Sequence, residues 1–194
     1  MKKIVVLFFT ILFQSSFAQI YTDCFQKLKF ETSVFLAGLT NVAVGDTVDN
    51  IIEAMESRQK RAIGCAYPYS PVSTYDKKEI NLVKFNTDYV IINFNKYYCD
   101  ACLVELDYFV KLKKDKTKSL TVVVFLEEVT KEVEMVIDKY KSDIYFVTNA
   151  ADYIKNHSLG AGKPLIYILD KNKNIIYAKS GTGKTFEQVS EVIK

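Results

Sequence analysis

Residues 89–114, YVIINFNKYYCDACLVELDYFVKLKK, decide the fold. An apolar, β-branched run at 89–94 is typical of a buried strand. A short polar and aromatic turn follows, and then a helical pattern in which acids come early and lysines late, as the helix dipole favours. The apolar positions of that pattern are Val104, Leu106, Phe109, Val110 and Leu112. Cys99 and Cys102 therefore lie where a buried strand becomes a helix.

This placement of a C-x-x-C pair predicts redox chemistry. A thiol at a helix N-terminus faces unpaired amide N–H groups and the positive end of the dipole, which both favour the thiolate. We expect Cys99 to attack a partner disulfide and Cys102, one turn later and buried, to resolve the mixed disulfide. Three alternatives stay open: two ordinary core cysteines, half of a zinc site completed from Cys24, Cys65 or His157, and a fold that keeps the pair without useful catalysis.

The same stretch resembles the extracytoplasmic thioredoxins of the TlpA/ResA type. Asn93 lies six residues before Cys99, where those proteins often carry asparagine, and Glu105 matches their active-site glutamate. Tyr98 stands where they usually have tryptophan. The resemblance extends over residues 63–194 and implies an α/β thioredoxin-like fold, in which helices flank a central mixed sheet.

The resemblance also implies further site residues. By the order of elements, Pro164 matches the proline that has a cis peptide bond and lies beside the C-x-x-C pair, so Pro164 joins Cys99, Cys102 and Glu105 as an expected catalytic residue. Tyr98, Lys163 and Pro164 are the expected substrate-binding residues. The Lys163 cation either lies near Cys99 or points to solvent.

Glu105 has two interpretations. A carboxylate one turn after Cys102 would raise the thiol pKa and could relay a proton during resolution. Alternatively, Glu105 is an ordinary acid on the helix surface. The sequence predicts that Glu105→Gln changes the pH dependence of exchange and leaves thermal stability close to that of the wild type.

Residues 1–18 have the pattern of a signal peptide. Lys2 and Lys3 form a basic start, an apolar run follows at 4–13, and cleavage is expected after Ala18. The alternative is a retained anchor, for which the apolar run is short. Removing the two lysines lowers the formal net charge from +3 to +1, so charge gives no reason to expect nucleic-acid or acidic-lipid binding.

Residues 19–62 form a predicted helical extension ahead of the thioredoxin-like domain, with helices over about 23–37 and from 46 or 47 to 61. This extension either packs on the domain or binds a partner. Downstream, we predict a strand or sheet edge at 79–83, strands at 120–126 and 143–147, and helices at 130–141 and 185–193. We also predict a helical turn at 151–158 that carries His157 at the surface, and a hairpin of strands after Pro164 that returns at 175–178.

Cys24 and Cys65 are the two remaining cysteines of four, and an even count in an exported protein favours pairing. A bond between them would close a loop of about 40 residues and stabilise the fold by about 4 kcal/mol in the chain-entropy model. The alternatives are two free buried thiols and a second redox pair that passes electrons to Cys99.

These observations predict thiol–disulfide exchange on protein substrates in the bacterial periplasm. The partners are protein thiols or disulfides and a redox partner; no metal or organic cofactor is implied beyond the Cys99–Cys102 disulfide, and a monomer is expected. The main alternative is a non-catalytic, partner-binding module with a static disulfide. A thiol peroxidase ranks third because the sequence has no P-x-x-x-T-x-x-C element.

Overall fold

The structure is a computed structural model that describes residues 24–37, 47–96, 100–115, 119–159, 164–181 and 185–193. The predicted signal peptide lies outside these ranges. In chain order the elements are α1 (24–37), α2 (Thr47–Arg61), β1 (Val72–Ser73), β2 (Glu79–Ile80), β3 (Tyr89–Asn95), α3 (Asp100–Lys114), β4 (Leu120–Leu126), α4 (Lys131–Tyr140), β5 (Tyr145–Val147), α5 (Ala151–His157), β6 (Leu165–Leu169), β7 (Ile175–Ser180) and α6 (Thr185–Val192).

A mixed five-stranded sheet forms the centre of the molecule, with the order β5-β4-β3-β6-β7. β3, β4 and β5 are parallel to one another, β6 is antiparallel to β3, and β7 is antiparallel to β6. β3 and β4 are apolar along almost their whole length because both of their faces are covered. Their parallel pairing needs a crossover, and α3 supplies it. The sequence-based prediction of a mixed sheet flanked by helices is confirmed.

Helices cover the two faces of the sheet. On one face α3, α4 and α6 bury apolar side chains such as Phe109, Ile137 and Val189 against β3, β4 and β6. On the other face α1 and α5 do the same with Phe25 and Ile154. α4 also has the N-cap expected of a stable helix, since the Thr130 hydroxyl accepts a hydrogen bond from the Val133 amide.

The N-terminal helices are tied to the sheet. A disulfide joins Cys24, at the start of α1, to Cys65, four residues after the end of α2, across a sequence separation of 41. The segment after α2 pairs with the start of β7, since the Gly64 amide donates to the Ile175 carbonyl at 2.7 Å and the Ile175 amide donates to the Cys65 carbonyl at 2.9 Å. Gly64 has a φ of 93°, which suits glycine. The extension thus packs on the domain.

Three local predictions are wrong. Val104, expected on the apolar face of α3, is 56% exposed, because the buried stripe runs through Leu106 and Phe109 instead. The strand expected to reach Val83 ends at Ile80, where the Asn81 side chain caps a short 3₁₀ helix, Leu82–Lys84. β7 is longer than expected and reaches Ser180 because β6 pairs with it that far. Among the described residues no helix is long and apolar enough to cross a membrane.

Candidate active site

Three elements meet at one edge of the sheet. β3 ends at Asn95, and α3 begins at Asp100, the residue after Cys99 in the sequence. Because β6 is antiparallel to β3, its first residue, Leu165, pairs with Phe94 near the end of β3. Pro164, directly before β6, is buried at this edge. Pro164 therefore lies at the end of β3 from which the polypeptide continues to the C-x-x-C motif. Contact between Pro164 and the motif stays a prediction.

Several predicted site residues lie outside the described residues: Tyr98, Cys99 and Lys163. The prediction of a cis bond before Pro164 stays a prediction for the same reason. Cys102 is described. It lies in the first turn of α3 with 4% of its surface exposed, and its sulfur takes part in a disulfide. The pairing of Cys99 with Cys102 also stays a prediction.

Glu105 lies one turn after Cys102 on α3 and is only 4% exposed. The Asn93 side-chain amide donates a hydrogen bond from Nδ2 to Glu105 Oε2 at 2.9 Å. Burial raises the pKa of Glu105 to about 7, and the hydrogen bond from Asn93 opposes this rise. The alternative of an ordinary surface acid is therefore wrong. A buried carboxyl with a pKa near neutrality can both accept and return a proton.

A second asparagine extends this polar group. Asn93 and Asn95 are two residues apart in β3, so both side chains lie on the sheet face that α3 covers. Asn95 donates from Nδ2 to Asn93 Oδ1, and both residues are almost fully buried. The sequence carries a signal for this pair, because two polar residues at period-two spacing interrupt an apolar strand. Only Asn93 was predicted from the sequence to belong to the site.

Tyr177 was also missed. It lies on β7, and its pKa is raised to about 12, first by burial and then by the negative charge of Glu105. Its hydroxyl donates to Gln188 Oε1 at 3.0 Å, and the Lys179 ammonium donates to the same oxygen at 2.9 Å. The Lys179 charge is thus directed to Gln188 on α6. Among the described residues, Asn93 is the one that donates a hydrogen bond to the Glu105 carboxyl.

The zinc alternative loses two of its candidate ligands, because Cys24 and Cys65 are bonded to each other. Its third candidate, His157, is engaged elsewhere. The His157 ring stacks on Tyr153 with centroids 3.9 Å apart, and its Nδ1 lies 2.7 Å from the Tyr153 carbonyl oxygen. Among the described residues no three histidine, cysteine or acidic side chains are grouped as metal ligands would be.

The predicted helical turn that carries His157 is the helix α5, but the His157 ring is half-buried there and does not stand free on the surface. Its ring also contacts Tyr67, a fully buried residue whose hydroxyl lies 3.5 Å from the Tyr153 hydroxyl. Burial is the largest cause of the lowered pKa of His157. This aromatic group occupies the sheet face opposite Glu105, so His157 has a packing role there and lies apart from the candidate site.

Solved structures with similar folds include thiol–disulfide proteins and thioredoxin-like proteins. The thioredoxin domain of a thiol-disulfide oxidoreductase from Bacteroides vulgatus matches with a TM-score of 0.55 and 20% identity, covering 68% of this chain and 98% of that one. A thiol:disulfide interchange protein from Bacteroides sp. matches with a TM-score of 0.52 and 20% identity, covering 68% and 90%. A thioredoxin-like protein from Aeropyrum pernix matches with a TM-score of 0.53 and 17% identity, covering 76% and 98%.

No protein-family model and no curated protein matches the sequence. The structural likeness, at these identities, is a likeness of fold. It agrees with the mixed five-stranded sheet and with a helix that begins within the C-x-x-C motif. The chain has the thioredoxin-like fold.

Proposed function

We propose that this chain exchanges thiols and disulfides on protein substrates through Cys99 and Cys102. One observation carries the proposal. Cys99 falls between the end of β3 and the start of α3 in a thioredoxin-like fold, Cys102 lies in the first turn of α3, and a buried carboxyl, Glu105, lies one turn beyond Cys102. Residues three apart on a helix share a face, so Cys102 and Glu105 are neighbours on α3.

The proposed reaction has two steps. The Cys99 thiolate attacks one sulfur of a client disulfide, which forms a mixed disulfide and releases the other client sulfur as a thiolate. The Cys102 thiolate then attacks the Cys99 sulfur, closes the Cys99–Cys102 disulfide and releases the second client thiol. Two electrons pass from the cysteine pair to the client, and a redox partner must return them for each turnover.

Glu105 serves the second step in this proposal. Cys102 is buried, and burial disfavours its thiolate. A neighbouring carboxylate can accept the Cys102 proton as the thiolate forms and can pass that proton to the departing client sulfur. With a pKa of about 7, Glu105 can hold the proton or release it near neutral pH.

We further propose that the chain works outside the cytoplasm, in the periplasm, as a monomer. The predicted signal peptide supports export. The Cys24–Cys65 disulfide supports it independently, because such bonds form and persist mainly in oxidising compartments. Mass spectrometry of the exported chain tests the cleavage after Ala18, and light scattering tests the monomer.

Insulin reduction by dithiothreitol tests the function. The chain from residue 19 should accelerate insulin precipitation, and Cys99→Ser should abolish the acceleration. Equal rates with and without the wild-type chain would support the alternative of a static, partner-binding module. Peroxide consumption that exceeds insulin reduction would instead indicate the peroxidase.

A further inference from the structure

Three buried polar side chains form a continuous hydrogen-bonded chain beneath the candidate site. Asn95, the last residue of β3, donates to Asn93 Oδ1, and Asn93 donates to Glu105 Oε2 at 2.9 Å. Their exposed fractions are 2%, 0% and 4%. These hydrogen bonds therefore begin at Asn95, where the polypeptide leaves the sheet before Cys99. They end at the Glu105 carboxyl on α3.

The hydrogen bonds that link Asn95, Asn93 and Glu105 have a fixed direction, which the donor and acceptor groups of the three side chains determine. An ionised carboxylate only accepts hydrogen bonds, whereas an asparagine amide has a donating end and an accepting end. Asn93 can support the Glu105 carboxylate only when its NH₂ group faces α3. The hydrogen bond from the Asn95 amide keeps the carbonyl oxygen of Asn93 pointing towards Asn95 and away from Glu105. Without that donor, Asn93 could turn its carbonyl oxygen towards Glu105, which would then have to carry a proton.

Among the described residues, few other polar groups face the Glu105 carboxyl. Cys102 is a neighbour on its own helix. From β7, Tyr177 adds a neutral hydroxyl that donates to Gln188 on α6, and the Lys179 ammonium donates to the same glutamine. Burial is the largest influence on the charge of Glu105, and the hydrogen bond from the Asn93 amide is the influence that opposes it.

We propose that Asn95 is a positioning residue for Glu105, and that it acts by fixing the orientation of the Asn93 amide. The effect of Asn95 on the Asn93 amide and on Glu105 is a property of the folded protein and does not depend on the proposed function. Its consequence for exchange rests on the function proposed above, because it is there that Glu105 moves a proton. Asn95 touches neither the client nor the reacting sulfurs in this scheme.

A double-mutant cycle tests the relation directly. The oxidised chain from residue 19, with its glutamates ¹³C-labelled at the carboxyl carbon, is titrated by NMR from pH 4 to 9. In the wild type the Glu105 midpoint is expected near 7. Asn93→Leu and Asn95→Leu should each raise it, by about one unit, since a hydrogen bond to the charged form is lost. In the Asn93→Leu background, Asn95→Leu should add no further shift.

The control is Thr121→Val, which makes a similar polar-to-apolar change at a buried position of β4 and should leave the midpoint unchanged. An Asn95→Leu midpoint equal to that of the wild type would overturn the proposal. So would a full shift from Asn95→Leu in the Asn93→Leu background. If Asn95→Leu does not fold, Asn95→Gln takes its place: it keeps an amide donor and should leave the midpoint near 7, and a raised midpoint would count against the proposal.

The exchange assay separates this inference from the function. If the wild type does not exchange disulfides while the cycle gives the expected shifts, the positioning relation holds and the proposed function fails. If exchange occurs, its pH profile should shift upwards in Asn95→Leu by the same amount as the NMR midpoint. An exchange profile that moves without any change in the NMR midpoint would overturn the positioning role.

Discussion

Replacing Glu105 with glutamine removes a buried ionisable group and keeps its shape. The glutamine carbonyl can still accept the hydrogen bond from Asn93, so the packing and the polar chain should persist. What changes is the cost of ionisation inside the fold. The comparison of wild type and Glu105→Gln across pH therefore measures how strongly the protein disfavours the carboxylate.

The magnitude follows from the pKa of Glu105, which burial raises from 4.5 to about 7. Because the folded state holds its proton more tightly than the unfolded state, the stability of the wild type should fall as the pH rises from 4.5 to 7. Above pH 7 the full penalty is present. A difference of about 2.5 units corresponds to about 3 kcal/mol.

Urea denaturation followed by circular dichroism gives the test, since the sequence has no tryptophan to serve as a fluorescence probe. Glu105→Gln should match the wild type near pH 4 and exceed its free energy of unfolding by about 3 kcal/mol at pH 8. The matched control is Glu128→Gln, which changes an exposed glutamate and should show no such trend. A constant difference between the Glu105→Gln and wild-type curves at every pH would show that folding does not raise the pKa of Glu105. The sequence alone predicts nearly equal stability, because it does not reveal that Glu105 is buried.

Three further predictions concern the cysteines and the proline. Cys102→Ser should trap mixed disulfides with client proteins and Cys99→Ser should not, as non-reducing electrophoresis will show; equal trapping by both would argue against Cys99 as the attacker. Replacing Cys24 and Cys65 with alanine should lower the free energy of unfolding by about 4 kcal/mol, and a loss below about 1 kcal/mol in urea would rule out a structural staple. The peptide bond before Pro164 should be cis, which the ¹³C shifts of the proline ring report directly, and trans shifts would contradict the resemblance on which this prediction rests.

The sheet and its crossover helix could be predicted from the sequence because their signals are local. β3 and β4 are largely apolar runs rich in β-branched residues, and α3 has helical spacing and a charge gradient. The end of β2 could not be predicted in this way. The side chain of Asn81 caps a 3₁₀ turn within a run that otherwise has the composition of a strand.

The candidate site was only partly predictable. C-x-x-C and Glu105 are visible as spacing, but the burial of Glu105 depends on contacts with β3 that come from tertiary packing. Tyr177 joins the site from a strand 72 residues later, through a sheet order that spacing does not encode. His157 was misjudged for the same reason, since Tyr67 reaches it from a distant part of the chain.

The proposed function requires Cys99 and Cys102 to be a redox pair, whereas Cys24 and Cys65 serve as a structural bond. Both roles can be tested together by equilibrating the chain from residue 19 in glutathione buffers of graded potential, quenching with acid, alkylating the free thiols and mapping them by mass spectrometry. We expect Cys99 and Cys102 to gain label together, as one two-electron step, while Cys24 and Cys65 stay bonded. A Cys99–Cys102 peptide that gains no label even in the most reducing buffer, or a step shared equally with Cys24 and Cys65, would rule out this division of roles.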